Sequence, residues 1–143
     1  MKKIVCILLC LVLLLFTCGC SKQENTVNRI NNLANIVASK LCSVGLGGTV
    51  SLGAEYSYFF TIQNNNANPV TLAIADVVPA NTTFVSASNN CVNNNGNLNW
   101  TVEVPANGNV EVSYTVKVNN DVTLVGKTIS SESATIGGVN FPC

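Results

Sequence analysis

From Thr49 onward, apolar side chains fall on every second residue. Tyr56, Tyr58, Phe60 and Ile62 alternate with smaller or polar neighbours, as do Val70, Leu72 and Ile74, and then Leu98, Trp100, Val102 and Val104. The most regular run is Val110, Val112, Tyr114, Val116 and Val118, with Glu111, Ser113, Thr115 and Lys117 between them. A period of two gives each segment one buried face, which is the pattern of a strand in a half-covered sheet. Turn-forming residues separate the runs: Asn64 to Pro69, Pro79-Ala80-Asn81, Asn89 to Asn97, Pro105 to Gly108, and Asn119-Asn120-Asp121. About seven strands at this spacing, with no helical stretch between them, predict an all-β fold built as a two-sheet antiparallel β-sandwich.

The chain reads differently before Thr49. Val27, Ile30, Ala34, Val37 and Leu41 follow a three-four spacing, which predicts a short amphipathic helix over 27–41, with Asn25 or Thr26 as its cap. The stretch Ala34 to Ala38 also admits a strand reading. Gly45, Gly47 and Gly48 end either element. Earlier still, Lys2 and Lys3 precede an apolar run from Ile4 to Phe16 that ends in Thr17-Cys18-Gly19-Cys20-Ser21-Lys22. As a helix, about 13 residues span roughly 20 Å, whereas a bilayer core of about 30 Å needs roughly 20 residues. A basic start, a short apolar core and a small-residue exit make this an export signal rather than a spanning helix.

The exit resembles a bacterial lipobox, with Cys20 as the lipidated residue and new N-terminus. Gly19 fits that pattern, and Thr17 departs from the aliphatic residue expected there. The resemblance divides the chain into a signal peptide over 1–19, a tether with the helix over 20–43, and the β-sandwich over 44–143. It implies a lipid-anchored protein on the extracytoplasmic face of the cell membrane, held there by its acyl chains. Simple cleavage, giving a secreted soluble protein without lipid, is the alternative.

Composition narrows the chemistry. The chain has no histidine, which excludes Ser-His-Asp and Cys-His catalysis and removes the commonest zinc ligand. After removal of 1–19 it holds five basic and seven acidic residues, a balance that argues against nucleic-acid binding. Its 22 asparagines lie largely in the turn segments, where Asn tolerates positive φ. The loop from Asn89 to Asn97 contains no carboxylate, so it reads as a loop tip rather than a calcium site. No catalytic residue, metal site or cofactor is expected. Trp100 reads as a core aromatic, and Phe59 as an outward residue that either packs under the helix or a loop, the preferred reading, or marks a contact surface.

Cys42, Cys91 and Cys143 remain for the folded part. If strands alternate up and down, with the first and last as parallel neighbours, Cys42 and Cys91 come to the same end. They are then a candidate disulfide, with Cys143 as a candidate free thiol.

Taken in order, Gly53, Tyr58 and Asn64, then Asp76-Val77-Val78-Pro79-Ala80-Asn81, Phe84 to Ser88, Trp100-Thr101-Val102, the turn at Pro105 to Gly108, and Val112 to Val118 form a recognisable series. It resembles the DUF11 conserved-repeat domain of bacterial and archaeal surface proteins, over about residues 44–138. The resemblance implies an immunoglobulin-like sandwich that acts as a stalk, spacer or adhesion module and is not an enzyme. Its partners would be the membrane and a surface protein or glycan; a glycan- or peptide-binding module is the alternative role. Asp76, Pro79 and Asn81 would be turn-structural, with Asp76 accepting backbone N–H groups. Asn81 stands where the family usually has Gly, and Glu132 where it usually has Asn.

Overall fold

A computed structural model defines residue 33 and residues 35–45 and 48–141. These residues form two antiparallel sheets packed face to face as a β-sandwich. The strands are β1 (Ile36–Cys42), β2 (Glu55–Asn64), β3 (Val70–Val77), β4 (Thr82–Ala87), β5 (Val92–Asn94), β6 (Asn97–Val104), β7 (Gly108–Val118), β8 (Ala134–Ile136) and β9 (Val139–Phe141). The first sheet has the order β1-β2-β7-β4 and the second β5-β6-β3-β8-β9. The described residues therefore hold nine strands rather than about seven. The additional ones are β1 and short pieces at the far edges.

Alternation does what the sequence predicts along the long strands. β6 is exposed and buried at strictly alternate positions, and Tyr56, Tyr58, Phe60, Ile62 and Asn64 all point inward from β2. The inner faces meet in one core in which Phe60, Leu98, Trp100, Tyr114, Val112 and Val116 are almost wholly buried. Aromatic rings fill its centre: Tyr58 stacks on Tyr114 at 5.0 Å between centroids, and Trp100 lies 5.9 Å from Phe60 and 6.2 Å from Tyr114. Offset and tilted contacts of this kind are the favoured geometries for such rings. The Trp100 indole N–H donates to the Ser88 carbonyl at 2.9 Å, which satisfies its polar edge and pins the loop after β4.

The asparagine-rich segments are turns. Asn95 and Gly96 both have positive φ, at 51° and 86°, and close the β5–β6 hairpin; Asn-Gly with two positive φ values matches the twist of the strands it joins. Asn81 also has positive φ, at 66°, a region in which Asn is the usual substitute for Gly.

The helix predicted over 27–41 is corrected where it can be compared. Residues 36–42 form strand β1, which pairs with β2 from Ile36↔Asn64 to Cys42↔Tyr58. The remainder of that segment, 27–32 and residue 34, lies outside the described residues, as do the export signal and Cys20. The sandwich thus includes Ile36–Cys42, ahead of the boundary at residue 44 drawn from the sequence.

Candidate functional site

The chemistry of this domain is concentrated between the two sheets. Lys40 is the single buried position of β1, and its side chain points into the core from the edge of the first sheet. Pairing places it opposite Phe60, and its ammonium lies 5.0 Å from the centre of the Tyr58 ring and 5.4 Å from that of Phe60. Asp76 comes from the second sheet, on β3 opposite Leu98 of β6. Lys40 Nζ and Asp76 Oδ2 are 2.7 Å apart, with the two side chains 3% and 0% exposed.

The carboxylate and the ammonium have further partners. Tyr114 of β7 donates its hydroxyl to Asp76 Oδ2 at 2.8 Å, and the Val77 backbone N–H donates to Oδ1 at 2.9 Å. Lys40 Nζ also donates to Ser131 Oγ and, at 3.3 Å, to the Glu132 carbonyl. Four segments therefore converge on one dry, charged contact: β1, β3, β7 and the stretch before β8. Burial drives the Tyr114 hydroxyl far above its ordinary ionisation range, and the Asp76 charge adds to it. Tyr58 is pushed up for the same first reason, burial. Tyr56 lies edge-on to Tyr58 at 5.5 Å, and its buried hydroxyl makes no hydrogen bond among the described residues.

A buried charge pair is costly unless both partners are held and their remaining hydrogen-bonding capacity is met. Here both conditions are approached. What the arrangement does physically is fix how the first sheet sits on the second, because Lys40 and Asp76 can meet only in one register.

A second buried polar residue performs a comparable task at the other end of β2. Asn64 is fully buried and donates from Nδ2 to the carbonyls of Asn68, Val104 and Pro105, while its Oδ1 accepts from the backbone and side-chain N–H groups of Asn66. One side chain thereby ties the loop after β2 to the end of β6.

Of the turn residues picked out in the sequence, Asp76 does accept a backbone amide. Its larger contacts, with Lys40 and Tyr114, are long-range and were missed. Pro79 is buried, and its carbonyl accepts from Thr82 through both N–H (3.3 Å) and hydroxyl (2.7 Å). The Asn81 carbonyl accepts from the Asn119 N–H at 3.0 Å, which joins this turn to the end of β7. Glu132 contributes its carbonyl to the Lys40 site, and its side chain is on an exposed residue.

No bridge joins the candidate pair Cys42 and Cys91 in the structure. The strand order gives the reason. Among the described residues β1 pairs only with β2 and is not a neighbour of the last strand. Cys42 ends β1 at one edge of the sandwich, whereas Cys91 precedes β5 at the other, beside β4. Three strand spacings of about 4.8 Å separate β1 from β4, well beyond the reach of a disulfide. Burial pushes the Cys91 thiol upward, away from reactive thiolate character. Cys143 lies outside the described residues.

Phe59 is half-buried on the outer face of the first sheet, level with Leu41 of β1 and Ser113 of β7. Among the described residues, Leu41 is its apolar neighbour across the ladder. All three tyrosines and the tryptophan are directed into the core, so they form no outward platform for stacking a sugar or peptide. No protein-family model and no curated protein matches the chain.

Proposed function

We propose that this chain is a lipid-anchored protein of the extracytoplasmic membrane face, carrying one immunoglobulin-like β-sandwich as a structural, spacer or adhesion module. One observation carries the reading: the order Lys2-Lys3, an apolar run from Ile4 to Phe16, Gly19-Cys20 and a polar tether, placed upstream of a single small domain. The series of motifs resembling the DUF11 repeat supports a surface role for that domain. Its interior favours the same view, since the buried polar groups are spent on joining sheets and loops to one another. The lack of histidine favours a role without enzymatic activity.

The test is fractionation of the expressing cell with mass analysis of the recovered protein. The expected product is membrane-bound, begins at Cys20 and carries acyl chains; Cys20→Ala removes the acyl mass and releases the protein from tight membrane association. Recovery of an unprocessed chain starting at Met1 in the cytosol would overturn the proposal. Recovery of a cleaved, lipid-free protein outside the cell would assign it instead to the secreted class.

A further inference from the structure

We propose that β1 is a self-association edge: two copies of the chain pair their β1 strands antiparallel and join their first sheets into one continuous sheet. The inference goes beyond the proposed function and does not depend on the lipid anchor.

Among the described residues the two sheets end in four edge strands, β1, β4, β5 and β9. Three of them are blunted. β5 and β9 have three residues each, and the β4 ladder is broken by a register shift between Phe84 and Ser86. Short length and bulges are common means of keeping a sheet edge from pairing with another chain. β1 has neither. It runs seven residues in unbroken register with β2, contains no proline and turns no charge outward, since its one lysine is buried.

The β1–β2 ladder fixes which backbone groups face away from the sheet. The Ser43 N–H donates to the Ser57 carbonyl, and the Asn65 N–H to the Asn35 carbonyl. Odd-numbered residues of β1 therefore bond to β2, and even-numbered ones direct N–H and C=O outward. Near the ends such groups are engaged in turns: the Ile36 N–H donates to the Leu33 carbonyl, and the Cys42 carbonyl accepts from the Gly45 N–H. Ala38 and Lys40, in the middle, have no backbone partner on that side among the described residues.

A second β1 satisfies them in one register. Pairing Ala38 with Lys40 of the other copy exchanges both N–H···O=C bonds, and the two-fold axis repeats the exchange for Lys40 and Ala38. The same register sets Ser39 against Ser39 and Val37 against Leu41 on the outer face. These are non-hydrogen-bonded pairs, in which opposed side chains approach more closely. The two large exposed apolar residues of β1 thus cover each other on both sides of the axis. The strip that meets is uncharged, with Val37, Ser39 and Leu41 beside Gln63, Thr61 and Phe59 of β2. It offers nothing to attract an acidic or basic partner and nothing to repel a like copy, which favours the second copy. Seven residues make a ladder about 23 Å long. An interface of that length belongs to the small class, below about 1,200 Å² in total, that associates reversibly.

The experiment is sedimentation of the full chain, purified in detergent with a reductant so that no intermolecular disulfide contributes. The wild-type chain is expected to pass from monomer to dimer as its concentration rises. Val37→Lys/Leu41→Lys sets like charges opposite each other in both outer pairs and is expected to abolish the dimer. Val37→Glu/Leu41→Lys sets opposite charges there and is expected to restore it. Within one strand the two positions are about 13 Å apart, so only antiparallel pairing of two copies tells the variants apart. Both side chains are exposed, and circular dichroism checks that both variants fold. A wild-type chain that stays monomeric overturns the proposal. Slow hydrogen exchange at the Ala38 and Lys40 amides of that monomer would assign the edge to the chain's own stretch before Leu33, and a second polypeptide recovered with it would assign the edge to a foreign strand. A dimer that survives in Val37→Lys/Leu41→Lys, or that Val37→Glu/Leu41→Lys fails to restore, also overturns it.

Discussion

The hydroxyl of Tyr114 donates to Asp76 Oδ2 across 2.8 Å, whereas the equally buried hydroxyl of Tyr56 has no such partner among the described residues. Two identical substitutions should therefore diverge. Tyr114→Phe removes a hydrogen bond to a charged group and is expected to lower stability by about 1.5–3 kcal/mol. Tyr56→Phe removes a desolvated hydroxyl and is expected to be neutral or mildly stabilising. Urea unfolding of the two variants reads the difference; equal losses would show that ring packing, not the hydroxyls, decides.

Lys40 and Asp76 should behave as a unit. Lys40→Met leaves a carboxylate buried without its counter-charge and is expected to cost about 3–5 kcal/mol. Asp76→Leu is expected to do comparable damage by leaving the ammonium buried. The double variant Lys40→Met/Asp76→Leu should lose less than the sum of the singles, because no uncompensated charge remains. A double-mutant cycle from denaturant unfolding measures the coupling, and strict additivity would refute it.

Stability should fall on the alkaline side. All three tyrosines of the chain, Tyr56, Tyr58 and Tyr114, are held above their ordinary pKa, chiefly by burial. The unfolded chain can lose these protons near pH 10 while the folded chain retains them. The folded form then binds more protons, so its stability is complete below about pH 10 and declines above it. Spectrophotometric titration should show no tyrosinate signal from the native fold, and a cooperative rise as it unfolds. Gradual ionisation with near-native circular dichroism would contradict this.

Asn64 should be among the least replaceable positions. Asn64→Ala strands the carbonyls of Val104, Pro105 and Asn68 and two N–H groups of Asn66. Each buried polar group left unpaired costs about 1–3 kcal/mol, although water will reach those nearest the surface. A net loss of about 3 kcal/mol is expected. Asn64→Asp keeps the acceptor but sets a negative charge against three carbonyl oxygens, and should be worse. Thermal unfolding ranks the two.

The long strands were legible because burial alternates on them without exception over most of their length. β1 was not, and its pairing shows why. On this edge strand the inward face, Ile36, Ala38, Lys40 and Cys42, has a charged residue as its most buried member, while the large apolar residues Val37 and Leu41 on the other face are 50% and 60% exposed. Val37 and Leu41 are four apart, so together with the upstream residues they mimic a helical stripe. β8 and β9 have three residues each around Gly137-Gly138, too short to display a period. Of the site, Asp76 drew notice only through a turn motif. Tyr114 showed only as an inward position of an alternating run and Lys40 not at all, because their meeting depends on which strand lies across the sandwich.

The placement of Lys40 also sets how this domain would answer a mechanical load. A pull from the N-terminal side enters at Ile36 and peels the β1 ladder rung by rung, beginning with Ile36↔Asn64. At the fifth rung, Lys40↔Phe60, peeling meets a side chain clamped to the opposite sheet, which must be dragged out past aromatic rings before the strand can leave. The outermost strand is thus the one with an arrest built into it, and tension is handed from the periphery to β3 in the heart of the second sheet.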